Sequence, residues 1–188
     1  MTYEELLNSV SSHYGSSPEL LENTMDRIAY HESKGKNVYQ EGGGPGAGLF
    51  QYERTFKDDD GVYGQAGGMT ARNRLAGFFG DDVPDWLNQE GMNNPEIGFD
   101  ASRLTPEQQK MLFLADKRMT PNVYMTPEHL SDLSKFWATS HWKGPESQYE
   151  DRTASFDVDM QDYDRLKQPI DDIYAGNDKL NRAFPTKK

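Results

Sequence analysis

One predicted helix carries a carboxylate in line with its apolar face. Ser17 followed by Pro18 is a typical helix start, because the serine side chain caps the first backbone N–H groups and proline fits the first helical position. The apolar residues that follow at helical spacing are Leu21, Met25 and Ile28. Glu32 occupies the next position of this series, so the sequence predicts a helix that places a carboxylate where a hydrocarbon side chain is expected.

Such a position changes the acidity of Glu32. Burial disfavours the ionised carboxylate, and the C-terminal end of the helix dipole does the same, so both effects raise the pKa. A carboxylic acid that stays protonated near neutral pH is what a general acid for glycoside cleavage requires. The alternative is a solvated Glu32 in the last turn of the helix, since helix ends are the least certain part of such an interpretation.

A glycine-rich turn, residues 42–48, follows this helix and leads into Leu49, Phe50 and Gln51. It does not match a nucleotide-binding P-loop, because that loop ends in Gly-Lys-Ser/Thr. Glycines let a backbone pass close to a sugar, and here they are expected to bring Gln51 alongside Glu32. A flexible surface linker is the competing interpretation.

The order of these parts resembles the lysozyme-like superfamily, in particular lytic transglycosylases and goose-type lysozymes. In those proteins a Glu-Ser pair at a helix end is followed by a Gly-Leu-Met-Gln type of segment. Here the pair is Glu32-Ser33 and the segment is 48–51, with Phe50 where methionine is commoner. The later stretch 137–145 looks like the ending of transglycosylase-like domains in phage virion proteins.

The resemblance implies a role for each matched residue. Glu32 corresponds to the catalytic acid, and Gln51 to a group that positions the substrate or the attacking hydroxyl. Glu53 falls where goose-type lysozymes have an aspartate, so it is the candidate for activating a water. Further candidates for substrate contact, from the matched motifs and from aromatic side chains able to stack on sugars, are Ser33, Gly48, Leu49, Phe50, Tyr52, His141 and Trp142. For the aromatic residues and His141, packing in the core is the alternative.

The reaction implied is cleavage of the β-1,4 bond between N-acetylmuramic acid and N-acetylglucosamine in peptidoglycan, with Glu32 first as acid and then as base. Without a second carboxylate to position water, the sugar's own 6-hydroxyl attacks, and the enzyme is a lytic transglycosylase. If Glu53 faces the cleft, the enzyme is a hydrolase. The non-enzyme alternative is a degenerate module that binds glycan or serves as a structural virion component.

Helix signals dominate the rest of the chain. Apolar residues at helical spacing predict a first helix over Glu4–His13 and another that Thr70 caps. Threonine–proline pairs predict three further helix starts, at Thr105, Thr120 and Thr126. The last of these opens a segment that reaches Trp142. A short turn of helix is predicted over Pro84–Leu87.

The fold class predicted is therefore mainly α, a lysozyme-like single domain with at most a small β-hairpin. Val38–Gln40 and Gly61–Tyr63 are the candidates for that hairpin. Residues 1–145 are predicted to form the catalytic domain, and residues 146–188 an acidic C-terminal segment that wraps it. The apolar anchors of that segment are Ile170, Ile173, Tyr174 and Leu180. Its carboxylates lack the spacing of a calcium-binding EF-hand loop and are expected to be solvated.

Composition narrows the classes of function. The net charge of -11 disfavours binding to nucleic acid or to anionic membranes, which needs clustered Lys and Arg. The chain has no Cys, which excludes disulfides and thiolate chemistry. No metal and no cofactor is predicted. The predicted partners are peptidoglycan glycan strands and other virion proteins.

Targeting signals are the last feature of the sequence. No run of about 18 apolar residues occurs, and the N-terminus lacks the basic and apolar regions of a signal peptide. Together with the phage-like stretch 137–145, this predicts a protein of the phage virion, or one that is released to the bacterial cell wall by another route.

Overall fold

Helices make up most of the described chain, in a computed structural model that describes residues 1–57, 60–61, 63–64, 66–94 and 96–167. The α-helices are α1 (Tyr3–Tyr14), α2 (Pro18–Ser33), α3 (Gly67–Phe79), α4 (Pro106–Met119), α5 (Pro127–Leu130), α6 (Leu133–Trp137) and α7 (Tyr149–Leu166). Short 3₁₀ turns cover Glu41–Gly43, Asp85–Leu87, Ala101–Arg103 and Glu146–Gln148. The prediction of a mainly α chain is confirmed.

The strands form two antiparallel pairs. They are β1 (Gly46–Ala47) with β2 (Tyr52–Glu53), and β3 (Phe56–Lys57) with β4 (Tyr63–Gly64). Of the two predicted hairpin candidates, the second contributes to a strand, since Tyr63 begins β4, whereas Val38–Gln40 makes only an isolated bridge between Tyr39 and Ala47. The structure thus has two strand pairs where the sequence predicts at most one small hairpin. The loop of the β1–β2 hairpin is residues 48–51, the segment that carries the Gly-Leu-Phe-Gln motif.

Side-chain caps begin the first two helices, and of these the Ser17 cap is the one that the sequence predicts. At the start of α1 the Thr2 hydroxyl accepts the backbone N–H of Glu5, and the Glu5 carboxylate accepts that of Thr2. The helix ends at Gly15, which adopts the left-handed conformation at φ 63°. α2 begins where the Ser17 hydroxyl accepts the Leu20 N–H at 3.1 Å. The helix that ends on the Glu-Ser pair is therefore confirmed.

α3 begins earlier than predicted. The predicted cap was Thr70, but the helix starts at Gly67 with Ala66 as the N-cap residue. Gly68 lies so close to other backbone that a Cβ there would be 2.8 Å from the carbonyl oxygen of Phe99. Gly68 therefore lets the first turn fit against this backbone, which the spacing of apolar residues does not reveal.

Two of the three threonine–proline pairs start helices. Thr105 and Gln108 form the capping box of α4, and Thr126 caps α5. Thr120 instead ends α4, where its hydroxyl donates to the carbonyl oxygen of Asp116 at 2.6 Å. The helix start predicted at Thr120 is therefore wrong, because its side chain bonds back to the preceding helix.

The single helical segment predicted from Thr126 to Trp142 is divided into three pieces. α5 ends after four residues, and α6 starts anew because the Asp132 carboxylate accepts the Lys135 N–H at 3.1 Å. A π-helical turn, Ala138–Trp142, then continues from α6. Such turns occur frequently at functional sites, because they redirect side chains relative to an α-helix.

α4 lies at the centre of the core, where it packs against α1 and α3. All of its residues 111–117 are buried, including the charged pair Asp116 and Lys117. The fully buried apolar side chains around it come from several helices and include Leu6, Leu21, Ile28, Leu75 and Phe156. No helix within the described ranges is both long and apolar enough to cross a membrane.

Part of the predicted acidic C-terminal segment is described, and it forms α7. This helix packs on α2 and α6 through Phe156, which is fully buried. Its carboxylates also bond to α2: Asp159 forms a hydrogen bond with His31 at 2.7 Å, and Asp164 forms an ion pair with Arg27. These carboxylates are therefore bonded and not only solvated. The anchors predicted beyond residue 167 lie outside the described residues.

Candidate active site

Glu32 lies in the last turn of α2, beside a cavity. Its side chain is 17% exposed, whereas Met25 and Ile28 on the same face are fully buried. Oε1 of Glu32 accepts a hydrogen bond from Trp137 Nε1 at 2.6 Å. Burial raises the pKa of Glu32 from 4.5 to about 7, against the opposing effects of this bond and of the nearby Lys117 charge. Glu32 is therefore largely protonated just below neutral pH.

The cavity has a volume of about 450 Å³. Its walls come from α2, the residues around the β1–β2 hairpin, the start and middle of α3, the end of α4 and the π-helical turn. The predicted site residues that line it are Glu32, Phe50, Gln51, Tyr52, Glu53, His141 and Trp142. Among the other lining residues, Gly67 and Lys143 are exposed, as is Glu53, so solvent reaches the cavity.

Ser33 connects the two motifs that the sequence singles out. Its Oγ lies 2.9 Å from the carbonyl oxygens of both Ala29 and Leu49. The hydroxyl therefore ties the end of α2 to the hairpin loop. This contact is with the protein's own backbone, so Ser33 holds the loop beside Glu32.

Gly48 is required by close packing in the hairpin loop. It has φ +82°, and a Cβ at this position would lie 2.3 Å from Oε1 of Gln109. That oxygen accepts the backbone N–H of Leu49 at 2.6 Å, and the Gln109 side chain is buried. Leu49 and Phe50 then enter the core, where the Phe50 ring stacks on Phe113 with centroids 4.7 Å apart.

Gln51 closes the loop and lines the cavity. Its side-chain Nε2 donates to the carbonyl oxygens of Val38 at 3.0 Å and Gly48 at 2.7 Å. The backbone bonds between Gly48 N–H and Val38 oxygen, and between Gln40 N–H and Gly46 oxygen, are both 2.9 Å. The glycine-rich turn is thus hydrogen-bonded at its base, and Gln51 and Glu32 line the same cavity.

Glu53 and Tyr52 are neighbours on β2 with different surroundings. Tyr52 is buried, and its hydroxyl donates to Oδ2 of Asp116 at 3.1 Å. Burial raises the pKa of Tyr52 well above 10, so the phenol stays neutral. Glu53 is exposed at the edge of the cavity.

The π-helical turn places His141 next to Glu32. Nε2 of His141 donates to the carbonyl oxygen of Phe50 at 2.9 Å and lies 3.7 Å from Oε1 of Glu32. Burial and then the Lys117 charge lower the pKa of His141 to about 3, so the ring is neutral. Its Nδ1 is buried and has no hydrogen-bond partner among the described residues. His141 therefore cannot act as a cation or as an acid near neutral pH.

Trp142 lies at the outer end of the same turn and is partly exposed. Its ring stacks on Trp137 with centroids 6.0 Å apart, and the Arg152 guanidinium lies 5.3 Å from its centroid. Gly144 packs against it, since a Cβ there would lie within 2.1 Å of the ring. Trp142 thus has a fixed orientation in the cavity wall.

Sequence reasoning missed a buried charged cluster of Asp116, Lys117 and Arg74, all of which line the cavity. Lys117 Nζ binds Oδ2 of Asp116 at 2.7 Å, and Arg74 binds the other carboxylate oxygen. Burial alone would raise the pKa of Asp116, but the two cations lower it to about 2. The signal was present, since Lys117 follows Phe113 at helical spacing, as Glu32 follows Ile28.

No family model, curated protein or solved structure matches this chain. The chemistry of the cavity is therefore inferred from its own residues. The arrangement offers one carboxylic acid that is protonated near neutral pH, a neutral histidine, a buried cationic cluster and an exposed second carboxylate.

Proposed function

We propose that the protein is a peptidoglycan-degrading lytic transglycosylase with a lysozyme-like fold. It cleaves the β-1,4 bond between N-acetylmuramic acid and N-acetylglucosamine, with Glu32 as general acid and then general base. The observation that carries the proposal is the position of Glu32, a mostly buried carboxyl group with a pKa near 7 in the wall of a solvent-accessible cavity. A group of this kind can protonate a glycosidic oxygen at neutral pH.

The hydrogen bond from Trp137 orients the acid. Oε1 of Glu32 accepts the indole N–H, so the carboxyl proton resides on Oε2. In the first step Oε2 gives this proton to the glycosidic oxygen as the bond from that oxygen to the anomeric carbon breaks. In the second step the resulting carboxylate accepts the proton of the muramic acid 6-hydroxyl, whose oxygen bonds to the anomeric carbon. The product is a 1,6-anhydro sugar, and Glu32 is protonated again.

The other cavity residues support this assignment. The neutral His141 neither competes as an acid nor repels a proton on Glu32. Gln51, held by backbone carbonyls at the cavity wall, is the group proposed to position the attacking hydroxyl. The partly exposed Trp142 offers a flat apolar surface of the kind on which sugar rings stack.

A hydrolytic lysozyme is the second candidate, and the position of Glu53 favours it. This carboxylate is exposed and lines the same cavity as Glu32. An inverting glycosidase holds two carboxyl groups about 6.5–9.5 Å apart so that one of them activates a water. We prefer the transglycosylase, and we predict that Glu53 lies at the rim of the cavity, outside both this range and the separation of about 5–5.5 Å in covalent retaining enzymes, because its side chain is exposed.

The proposed partner is the glycan strand of peptidoglycan, and the proposed setting is the phage virion or the bacterial cell wall after release. The support for this setting is the stretch 137–145, which resembles the ending of transglycosylase-like domains in phage virion proteins. Trp137, His141 and Trp142 from this stretch lie at the cavity, so the resemblance falls on the proposed site.

Digestion of purified peptidoglycan followed by mass spectrometry of the muropeptides tests the proposal. We expect 1,6-anhydro products from the wild-type protein, and none from Glu32→Gln, because the amide cannot donate the proton. Glu19→Gln is the matched control, since Glu19 is an exposed residue at the other end of the same helix. Circular dichroism checks that each variant is folded.

Each alternative gives a different product. Reducing-end muropeptides that disappear in Glu53→Gln would establish the hydrolase. No cleavage by the wild-type protein, together with glycan binding, would establish a degenerate module. Release of muropeptides by Glu32→Gln at the wild-type rate would show that Glu32 is not the acid.

A further inference from the structure

Lys117 is a buried cation that the proposed acid–base chemistry does not use. Its side chain is only 1% exposed, although it belongs to the cavity wall. Nζ donates to Oδ2 of Asp116 at 2.7 Å and to the carbonyl oxygen of Ser140 at 3.1 Å. An ammonium group loses strong hydration when it is buried, so a lysine in such a place needs partners of this kind. Its position is therefore fixed from two sides.

With Lys117 charged, the buried cluster around it carries a net positive charge; burial lowers the pKa of Lys117 and the Asp116 carboxylate opposes that effect. Asp116 is ionised and binds both Lys117 and Arg74, so one carboxylate faces two cations. The Tyr52 hydroxyl, which also bonds Asp116, is neutral. Because this part of the cavity wall is poorly solvated, its net positive charge interacts strongly with any group that becomes charged in the same cavity.

One short segment connects this cluster to Glu32. Trp137 donates to the Glu32 carboxylate, Ser140 accepts from Lys117, and the His141 ring lies 3.7 Å from Glu32. The π-helical turn that contains Ser140 and His141 continues directly from Trp137. One short stretch of the chain, residues 137–141, is thus bonded to the cation at Ser140 and to the acid at Trp137.

We propose that Lys117 is a positioning residue for Glu32, a fixed buried cation that stabilises the carboxylate formed when Glu32 gives up its proton. This inference rests on the proposed function, in which that carboxylate forms during bond cleavage. Electrostatic groups held in place before the reaction stabilise developing charge without reorganisation. Burial, and after it the Lys117 charge, also lowers the pKa of His141, so the ring beside Glu32 stays neutral.

Other groups near Glu32 do not supply the same charge. His141 and Tyr52 are neutral when Glu32 titrates. Glu53, Lys143 and Arg152 are exposed, so water and salt screen them. Within the buried cluster, Arg74 bonds Asp116 and Thr120, and Lys117 is the member of the cluster whose charge lowers the pKa of Glu32.

The test is a carbon-13 NMR titration of the Glu32 carboxyl group, assigned by its absence in Glu32→Gln. Lys117→Met keeps the length of the side chain and removes its charge. We expect the pKa of Glu32 to rise by about one unit, the lower end of what a nearby charge produces. The shift should persist in about 0.5 M salt, because buried charges are screened little.

Arg152→Gln is the matched control. Its charge also lowers the pKa of Glu32, but the guanidinium is exposed. In Arg152→Gln we expect a smaller rise in the pKa of Glu32, and we expect salt to abolish it. A Lys117→Met variant with an unchanged or lowered pKa of Glu32 would overturn the proposal, because a purely structural lysine would not act on the carboxyl group through its charge.

A second measurement needs no Lys117 variant and covers the case in which Lys117→Met does not fold. In wild-type protein the nitrogen-15 signal of Lys117 Nζ should be that of an ammonium at pH 7. As the pH is varied, its chemical shift should change with a midpoint equal to the pKa of Glu32. In Glu32→Gln this inflection should be lost. A neutral amine, or no inflection, would refute the proposal. Both titrations are independent of glycan cleavage, so the failure of the proposed function would appear separately in the digestion assay.

Discussion

The raised pKa of Glu32 has a consequence for folding that can be measured without any substrate. The folded protein holds the proton up to a pKa of about 7, whereas an unfolded chain releases it near 4.5. Between these values the folded state binds one more proton than the unfolded state, so the free energy of unfolding falls as the pH rises. The stabilising contribution is complete below pH 4.5, decreases through this window and is lost above pH 7.

The size of the effect follows from the shift. A difference of about 2.5 units at about 1.36 kcal/mol each amounts to about 3 kcal/mol. Glu32→Gln removes the titration but keeps the shape of the side chain and the acceptor for Trp137 Nε1. We therefore expect the variant to match the wild type at about pH 4 and to exceed its stability by about 3 kcal/mol at about pH 8.

Urea unfolding of both proteins across this range is the assay. The difference in free energy of unfolding should change by about 1.4 kcal/mol per pH unit through the window and be flat outside it. Glu53→Gln is the control in the same cavity, and as an exposed substitution it should stay within about 0.5 kcal/mol of wild type throughout. A difference between wild type and Glu32→Gln that does not depend on pH would refute the reasoning, as would a wild type that gains relative stability with rising pH.

Two further predictions concern the hairpin loop. Gly48→Ala should lower the free energy of unfolding by about 1–3 kcal/mol more than Gly15→Ala. Both glycines have positive φ, but only at Gly48 would an added Cβ meet Gln109. Urea unfolding of the two variants measures the difference. Gln51→Ala should lower the free energy of unfolding by about 1–2 kcal/mol, because two hydrogen bonds are lost, and should remove most of the rate of muropeptide release. A normal release rate per folded molecule would make Gln51 purely structural.

Local signals account for the parts of the fold that the sequence predicted correctly. The predicted Ser17, Thr105 and Thr126 caps all form, because a side-chain cap depends only on the next three residues. Thr120 has the same local pattern, but its hydroxyl bonds back to Asp116 instead. Which of the two bonds the Thr120 hydroxyl forms depends on where α4 ends, and the local cap pattern gives no information about that.

The candidate site shows the same division between local and distant contacts. Periodicity placed Glu32 on a buried face, and the structure keeps it there beside Trp137. Two groups that act on this acid, Lys117 and Trp137, lie more than 80 positions further along the chain. A buried lysine in an apolar helix was visible by the reasoning used for Glu32, but its partner Ser140 depends on a π-helical turn. No periodicity of 3.6 residues predicts that turn.

The identity of residue 32 itself separates a structural from a chemical explanation. Its hydrogen bond needs only an acceptor for the Trp137 indole, and a glutamine oxygen would serve as well without any cost of burying a charge. Folded proteins are stable by about 5–15 kcal/mol, so a group that costs about 3 kcal/mol above neutral pH is a large part of that margin. A residue that serves packing alone would avoid this cost. A carboxyl group that holds its proton near pH 7 therefore supports the proposed role of Glu32 as general acid over a purely structural one.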